Sequence, residues 1–148
     1  MRIRTAKTLL VVVDVALVAY WVAVIADLLP EAQRFRDYSN PVVQAWNWSF
    51  LPLDLLAVAC GLAGVRMATT GSRVGRSVLT VGLTLTFCAG FMAVSFWAFY
   101  GDFDAAWWAP NIALMVVPLL VHLAMLAEDR TEDRTQDRVT DRVRRATS

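Results

Sequence analysis

Apolar residues come in four long runs separated by short polar connections. The runs cover about residues 8–29, 50–69, 78–100 and 107–127. Each meets the length of about 20 mostly apolar residues that a helix, rising about 1.5 Å per residue, needs to cross the hydrocarbon layer. The few polar positions inside the runs recur at helical spacing. This pattern predicts an all-α fold, a four-helix transmembrane bundle over residues 1–127, followed by a charged tail over 128–148 that is disordered or partly helical. The first run follows "MRIRTAK" as a secretory signal would, but its apolar stretch is too long for one and contains Asp14, so it reads as an uncleaved helix.

The polar positions have a register. Asn47, Phe50, Asp54, Ala57, Gly61 and Gly64 form one helical stripe of the second run, which puts Asp54 on the face whose small residues allow close helix approach. Ionisable groups inside a bilayer cost about 2.5 to 3.5 kcal/mol each on insertion scales, so such a face points at protein or water. Pro52 lacks an amide donor and disturbs the backbone beside Asp54, so the helix either starts near Ser49 or kinks. The fourth run has a comparable stripe of Asn111, Leu114, Met115, Pro118, His122 and Met125. In the first run Asp14 lies about 9 Å from the inner edge, and His122 lies about 8 Å from that edge in the fourth, so the two are expected to pair. Tyr20 and Asp27 share another face of the first helix, with Asp27 at a depth similar to Asn47 and Asn111. The third run reads as a packing helix, with Gly82 and Gly90 as contact points and hydroxyls that bond within the membrane.

Charge placement sets the expected orientation. Arg2, Arg4 and Lys7 precede the first run, Arg66, Arg73 and Arg76 flank the second connection, and the tail is arginine-rich. The other connections hold Arg34 and Arg36 against Glu31 and Asp37, and Asp102 with Asp104. Both termini are therefore expected in the cytoplasm of a multi-pass cell-membrane protein. All six tryptophans then fall in the outward half, as interfacial anchors or as the wall of an outward-opening pocket.

Composition agrees with membrane insertion: 57% of the 148 residues are hydrophobic, and the formal net charge is only +1, which argues against nucleic acid as a partner. Cys60 and Cys88 lie apart inside apolar runs and read as small buried hydrophobes, not as a redox pair or metal site. The tail steps Asp129, Asp133, Asp137 and Asp141 with Arg130, Arg134, Arg138 and Arg142, so like charges at i,i+4 offset opposite charges at i,i+3.

The segment "FRDYSNPVVQAWNWSFLPLDLL", with Asp14 and Tyr20-Trp21 before it, resembles the YvaD family of small four-helix bacterial membrane proteins. The resemblance extends to about Ala127 and implies topology and a candidate site, but no reaction. It implies Asp37, Tyr38, Asn40, Pro41, Trp46, Asn47, Trp48, Pro52 and Asp54 as the family motif. The chain is more weakly similar to sterol-isomerase-like and sigma-2-type four-helix proteins, whose early helices place acidic residues around a lipophilic amine or sterol pocket. That similarity implies comparable parts for Asp27 and Asp54, and the asparagine- and tryptophan-rich turn departs from it.

Three functions fit. The favoured one is a non-enzymatic protein that binds a small lipophilic ligand or a membrane partner in an outward-facing pocket formed by Asp54, Asn47, Trp46, Trp48, Asn111, Asp27 and Tyr20. The others are a proton-coupled small transporter using Asp14 or Asp54, and an intramembrane isomerase-like enzyme with Asp54 as acid or base. No phosphate loop, HExxH helix or nucleophile elbow occurs, so no cofactor or metal is expected and the bilayer itself is the one firm partner.

Overall fold

The computed structural model describes residues 3–35, 37–72 and 74–146. Arg2, Arg36 and Arg73, three of the charges used for orientation, lie outside these residues, as does the side chain of Asp141. The described residues form six helices and no strand: α1 (Ile3–Ile25), α2 (Glu31–Arg34), α3 (Pro41–Trp48), α4 (Phe50–Thr69), α5 (Gly75–Tyr100) and α6 (Ala105–Ala146). Four spans, Arg4–Ile25, Pro41–Thr69, Gly75–Tyr100 and Ala105–Arg138, are long and apolar enough to cross a membrane. Large apolar side chains such as Val12, Val22, Leu56, Val81, Phe91, Val116 and Leu123 are exposed on them, as lipid-facing surfaces require.

Local chemistry sets the ends of the spans. α1 stops at Ile25, four residues before the apolar run does, because Asp27 adopts a left-handed backbone (φ 60°) and Leu28 N–H turns back to the Ala23 carbonyl at 2.9 Å. Asn40 caps α3 by accepting from the amides of Val42 and Val43 at 3.1 and 3.3 Å, with Pro41 at the first helical position. α3 and α4 are separated by Ser49 alone, and Pro52 falls in the first turn of α4, where its missing N–H does least harm. The Ser49 hydroxyl donates to the Trp46 carbonyl at 2.6 Å. α5 ends at Gly101 (φ 80°), with Asp102 N–H bonded to the Trp97 carbonyl at 3.1 Å. α6 runs from the fourth span through the charged tail as one helix. Arg76 pairs with Asp129 and, at 3.6 Å, with Glu128, which ties the start of α5 to the point where that tail begins.

Glycines set the helix spacing. A Cβ on Gly82 would lie 2.5 Å from the amide nitrogen of Gly61, so α4 and α5 meet backbone to backbone. A Cβ on Gly90 would lie 2.5 Å from the Asn111 carbonyl oxygen, and α5 and α6 meet there. The hydroxyls of Thr80, Thr84 and Thr86 return to the carbonyls of Arg76, Thr80 and Gly82 at 2.9 to 3.0 Å, so α5 is the expected packing helix. The interior divides by depth. Ala6, Leu10, Leu79, Leu83, Val117 and Val121 fill the half near the N-terminus, and Trp21, Val24 and Phe35 anchor an aromatic half at the other end. Cys60 is half-buried and Cys88 exposed, so neither is the buried hydrophobe that its sequence context suggested.

Candidate functional site

α1 and α4 run antiparallel and share one seam. On α1, Leu10, Asp14, Trp21 and Val24 recur at helical spacing and are all buried, and on α4 the buried positions are Asp54, Ala57, Val58, Gly61 and Gly64. The stripe expected on α4 is therefore the stripe that packs. Trp21 Nε1 donates to Asp54 Oδ2 at 2.8 Å. Seven residues deeper on both helices, about 10 Å at 1.5 Å per residue, Asp14 meets Gly61, where a Cβ would stand 2.5 Å from Asp14 Oδ2.

Around Asp54 the helices part to enclose a cavity of about 340 Å³, a size that suits small ligands. Tyr20, Trp21, Phe35, Trp46, Asn47, Phe50, Trp97, Trp107 and Asn111 line it together with Asp54, and small residues such as Ala89 and Ala93 of α5 leave the room. The connection after α1 forms one wall. Tyr20 donates its hydroxyl to the Arg34 carbonyl at 2.5 Å, and Arg34 Nε donates to the Leu29 carbonyl at 2.5 Å while pairing with Asp27. This brings Phe35, 3% exposed, to a ring-centre distance of 6.1 Å from Trp21 and 5.4 Å from Trp48. On the opposite wall Trp46 stacks on Phe96 at 3.8 Å, Phe96 lies 5.5 Å from Tyr100, and the Tyr100 hydroxyl donates to Asp37 Oδ2 at 2.6 Å. Asp37 and Asn40, from the motif that the resemblance implied, thus hold the α2–α3 connection in place.

Two polar atoms of this wall lack hydrogen-bond partners among the described residues: Asp54 Oδ1 and Asn47 Nδ2. Asp54 is 5% exposed and Asn47 9% exposed, and buried polar groups of this kind are normally paired. One is an acceptor and the other a donor, in a wall that is mostly apolar and aromatic. Asn111 donates its Nδ2 to the Trp107 carbonyl at 2.6 Å, so its amide is partly committed to its own helix.

The structure gathers Asp54, Asn47, Trp46, Asn111 and Tyr20 around the cavity and leaves out two residues expected there. Asp27 lies beyond the end of α1, with its side chain 76% exposed and paired with Arg34, because the left-handed turn carries it away from the bundle. Trp48 is 42% exposed and packs behind the wall against Trp21, 5.8 Å between ring centres. The expected Asp14–His122 pair is not formed, since both Asp14 oxygens lack hydrogen-bond partners. α6 presents Val117, Val121, Ala124 and Met125 to the core, which leaves His122 half-buried at the margin of that face. Of the further lining residues, Trp21, Trp97 and Trp107 belong to the outward-half tryptophans read as anchors or pocket wall, and Phe35 is not among the expected residues. For Trp21 a signal existed, because it continues the α1 face of Asp14 by i+7. Phe35 offered none, being placed by a connection whose path local pattern does not set.

The fold and this site define a small multi-pass helical membrane protein with a polar and aromatic cavity at the end of the bundle away from its N-terminus. The chain belongs to the family of unknown function DUF5360, which matches residues 6–132. It is 36% identical over 129 residues to the "Uncharacterized protein YvaD" of Bacillus subtilis (strain 168), covering 86% of this chain and 97% of that relative. No solved structure matches the chain.

Proposed function

We propose that the protein binds a small lipophilic molecule in the cavity beside Asp54. The observation behind this reading is the unpartnered Asp54 Oδ1 and Asn47 Nδ2 in a mostly apolar, aromatic wall around about 340 Å³. A ligand that buries an apolar body against Trp46, Trp97 and Phe50 and presents one donor and one acceptor satisfies both groups at once. With both termini in the cytoplasm, as the Arg4, Lys7, Arg66 and Arg76 side of the bundle suggests, the cavity opens toward the outer face of the cell membrane. Asp54 and Tyr20 are the ionisable residues of the cavity wall, and Trp21 holds one oxygen of the carboxylate.

The test is a thermal-shift screen of the purified protein against lipids, quinones, sterols and cationic amines, repeated with Asp54→Asn. A compound that stabilises the wild type and loses that effect in the variant supports the site. Equal responses of both proteins to every compound would remove Asp54 from binding.

A further inference from the structure

The unused feature of the bundle is Asp14. It is 1% exposed, belongs to the middle of α1, and neither of its oxygens has a hydrogen-bond partner among the described residues. Gly61 is a glycine in the place where a side chain would strike Asp14 Oδ2, so the structure makes room for the carboxyl and still gives it no donor.

A second recess, of about 370 Å³, lies at the other end of the bundle and is lined by Lys7, Ser72, Arg76, Leu79 and Glu128 among others. The two recesses face each other through a septum. On α1 the cavity reaches down to Val13 and the second recess up to Lys7, a difference of six residues or about 9 Å of rise. On α5 the corresponding limits are Ala89 and Leu79, about 15 Å apart by the same measure. Asp14 lies at the cavity end of this septum, one residue above Val13 on α1 and level with Gly61, which is midway between Asp54 and Ala68 on α4. By helix rise it is about 10 Å below Asp54 and about 10 Å above Lys7. Leu114 lines the cavity, and Pro118, four residues on, has no N–H to give its carbonyl.

We propose that Asp14 is a proton-binding station between the two recesses and that the bundle passes protons across the membrane through it. The Asp14 carboxylate accepts a proton from water entering from one recess and returns it to water in the other. Only O–H bonds form and break, and the membrane potential or the pH gradient supplies the drive. The ionisable groups that bear on this step from the surrounding helices are Asp54 on α4, Lys7 on α1, Arg76 on α5, and His122 and Glu128 on α6. The step uses the cavity as a route for water and does not depend on a ligand binding there, so a failed ligand screen leaves it standing.

The test reconstitutes the full chain in liposomes with trapped pyranine, and a potassium gradient with valinomycin sets the potential. Wild type is expected to carry proton flux severalfold above protein-free liposomes, and Asp14→Asn to bring it down to that background with helix content unchanged. Flux at background for wild type, or undiminished flux in Asp14→Asn, overturns the proposal. A second measurement does not need that variant to fold. In Asp54→Asn protein, Asp14 is the remaining buried carboxyl among the described residues. Its infrared C=O band is expected to shift on transfer to D2O, and a band that does not exchange would show a septum closed to water and overturn the proposal equally.

Discussion

Trp21 Nε1 and Asp54 Oδ2 lie 2.8 Å apart, both buried, and this hydrogen bond fixes where α1 and α4 meet and which way the carboxylate faces the cavity. Removing the donor with Trp21→Phe leaves both Asp54 oxygens without a partner, at a desolvation penalty of about 1–3 kcal/mol. Asp54→Asn keeps an acceptor for the indole and is expected to cost less. In a double-mutant cycle followed by denaturant unfolding in mixed micelles, the pair is expected to be non-additive by at least about 0.5 kcal/mol. Additive losses would mean that the bond contributes nothing to the seam.

Gly61 is a close point of the three-helix contact, with Asp14 on one side and Gly82 on the other. Gly61→Ala is expected to destabilise by about 1–3 kcal/mol through overpacking, and shortening the acid with Asp14→Ala is expected to recover part of that loss. A Gly61→Ala protein as stable as wild type in the same unfolding measurement would contradict the packing described for this seam.

Asp14 and His122 are close in depth but not bonded, so Asp14→Asn and His122→Ala are expected to be additive within about 0.3–0.5 kcal/mol. A larger coupling energy would restore the pairing that depth alone suggested.

Asp27 lies on the outside of the α1 end, paired with Arg34 and away from the cavity wall. Asp27→Asn is therefore expected to leave the thermal response to any cavity ligand unchanged, in contrast to Asp54→Asn. Loss of that response in Asp27→Asn would place the site nearer the α1–α2 connection.

The residues that were legible in the sequence are those whose position follows from a helix's own period. The stripe from Asn47 through Asp54 and Gly61 to Gly64 packs as read, because a 3.6-residue repeat of small and polar residues in an apolar run leaves one face to bury. The errors come from quantities that period does not contain. Depth along the axis brought Asp14 and His122 level, but the rotation of α6, set by Val117 and Val121, keeps them from bonding. α1 ends before its apolar run does, at a left-handed turn built on Asp27 instead of a glycine. Phe35 is out of reach of that period and Trp48, expected in the wall, lies behind it for the same kind of reason, since the clamp of Tyr20 on the Arg34 carbonyl decides which aromatic faces inward.

If the cavity beside Asp54 holds a ligand, filling it abolishes binding. Ala93 is buried and lines the cavity, and Trp21, Trp46, Trp97 and Trp107 surround the same space. Tryptophan quenching by a brominated sterol or brominated alkylamine is to be titrated in micelles for wild type and Ala93→Leu. Saturable quenching in wild type that is lost in Ala93→Leu is the predicted result. Quenching that never saturates and is the same in both proteins would show partition into the surrounding detergent and contradict a binding cavity.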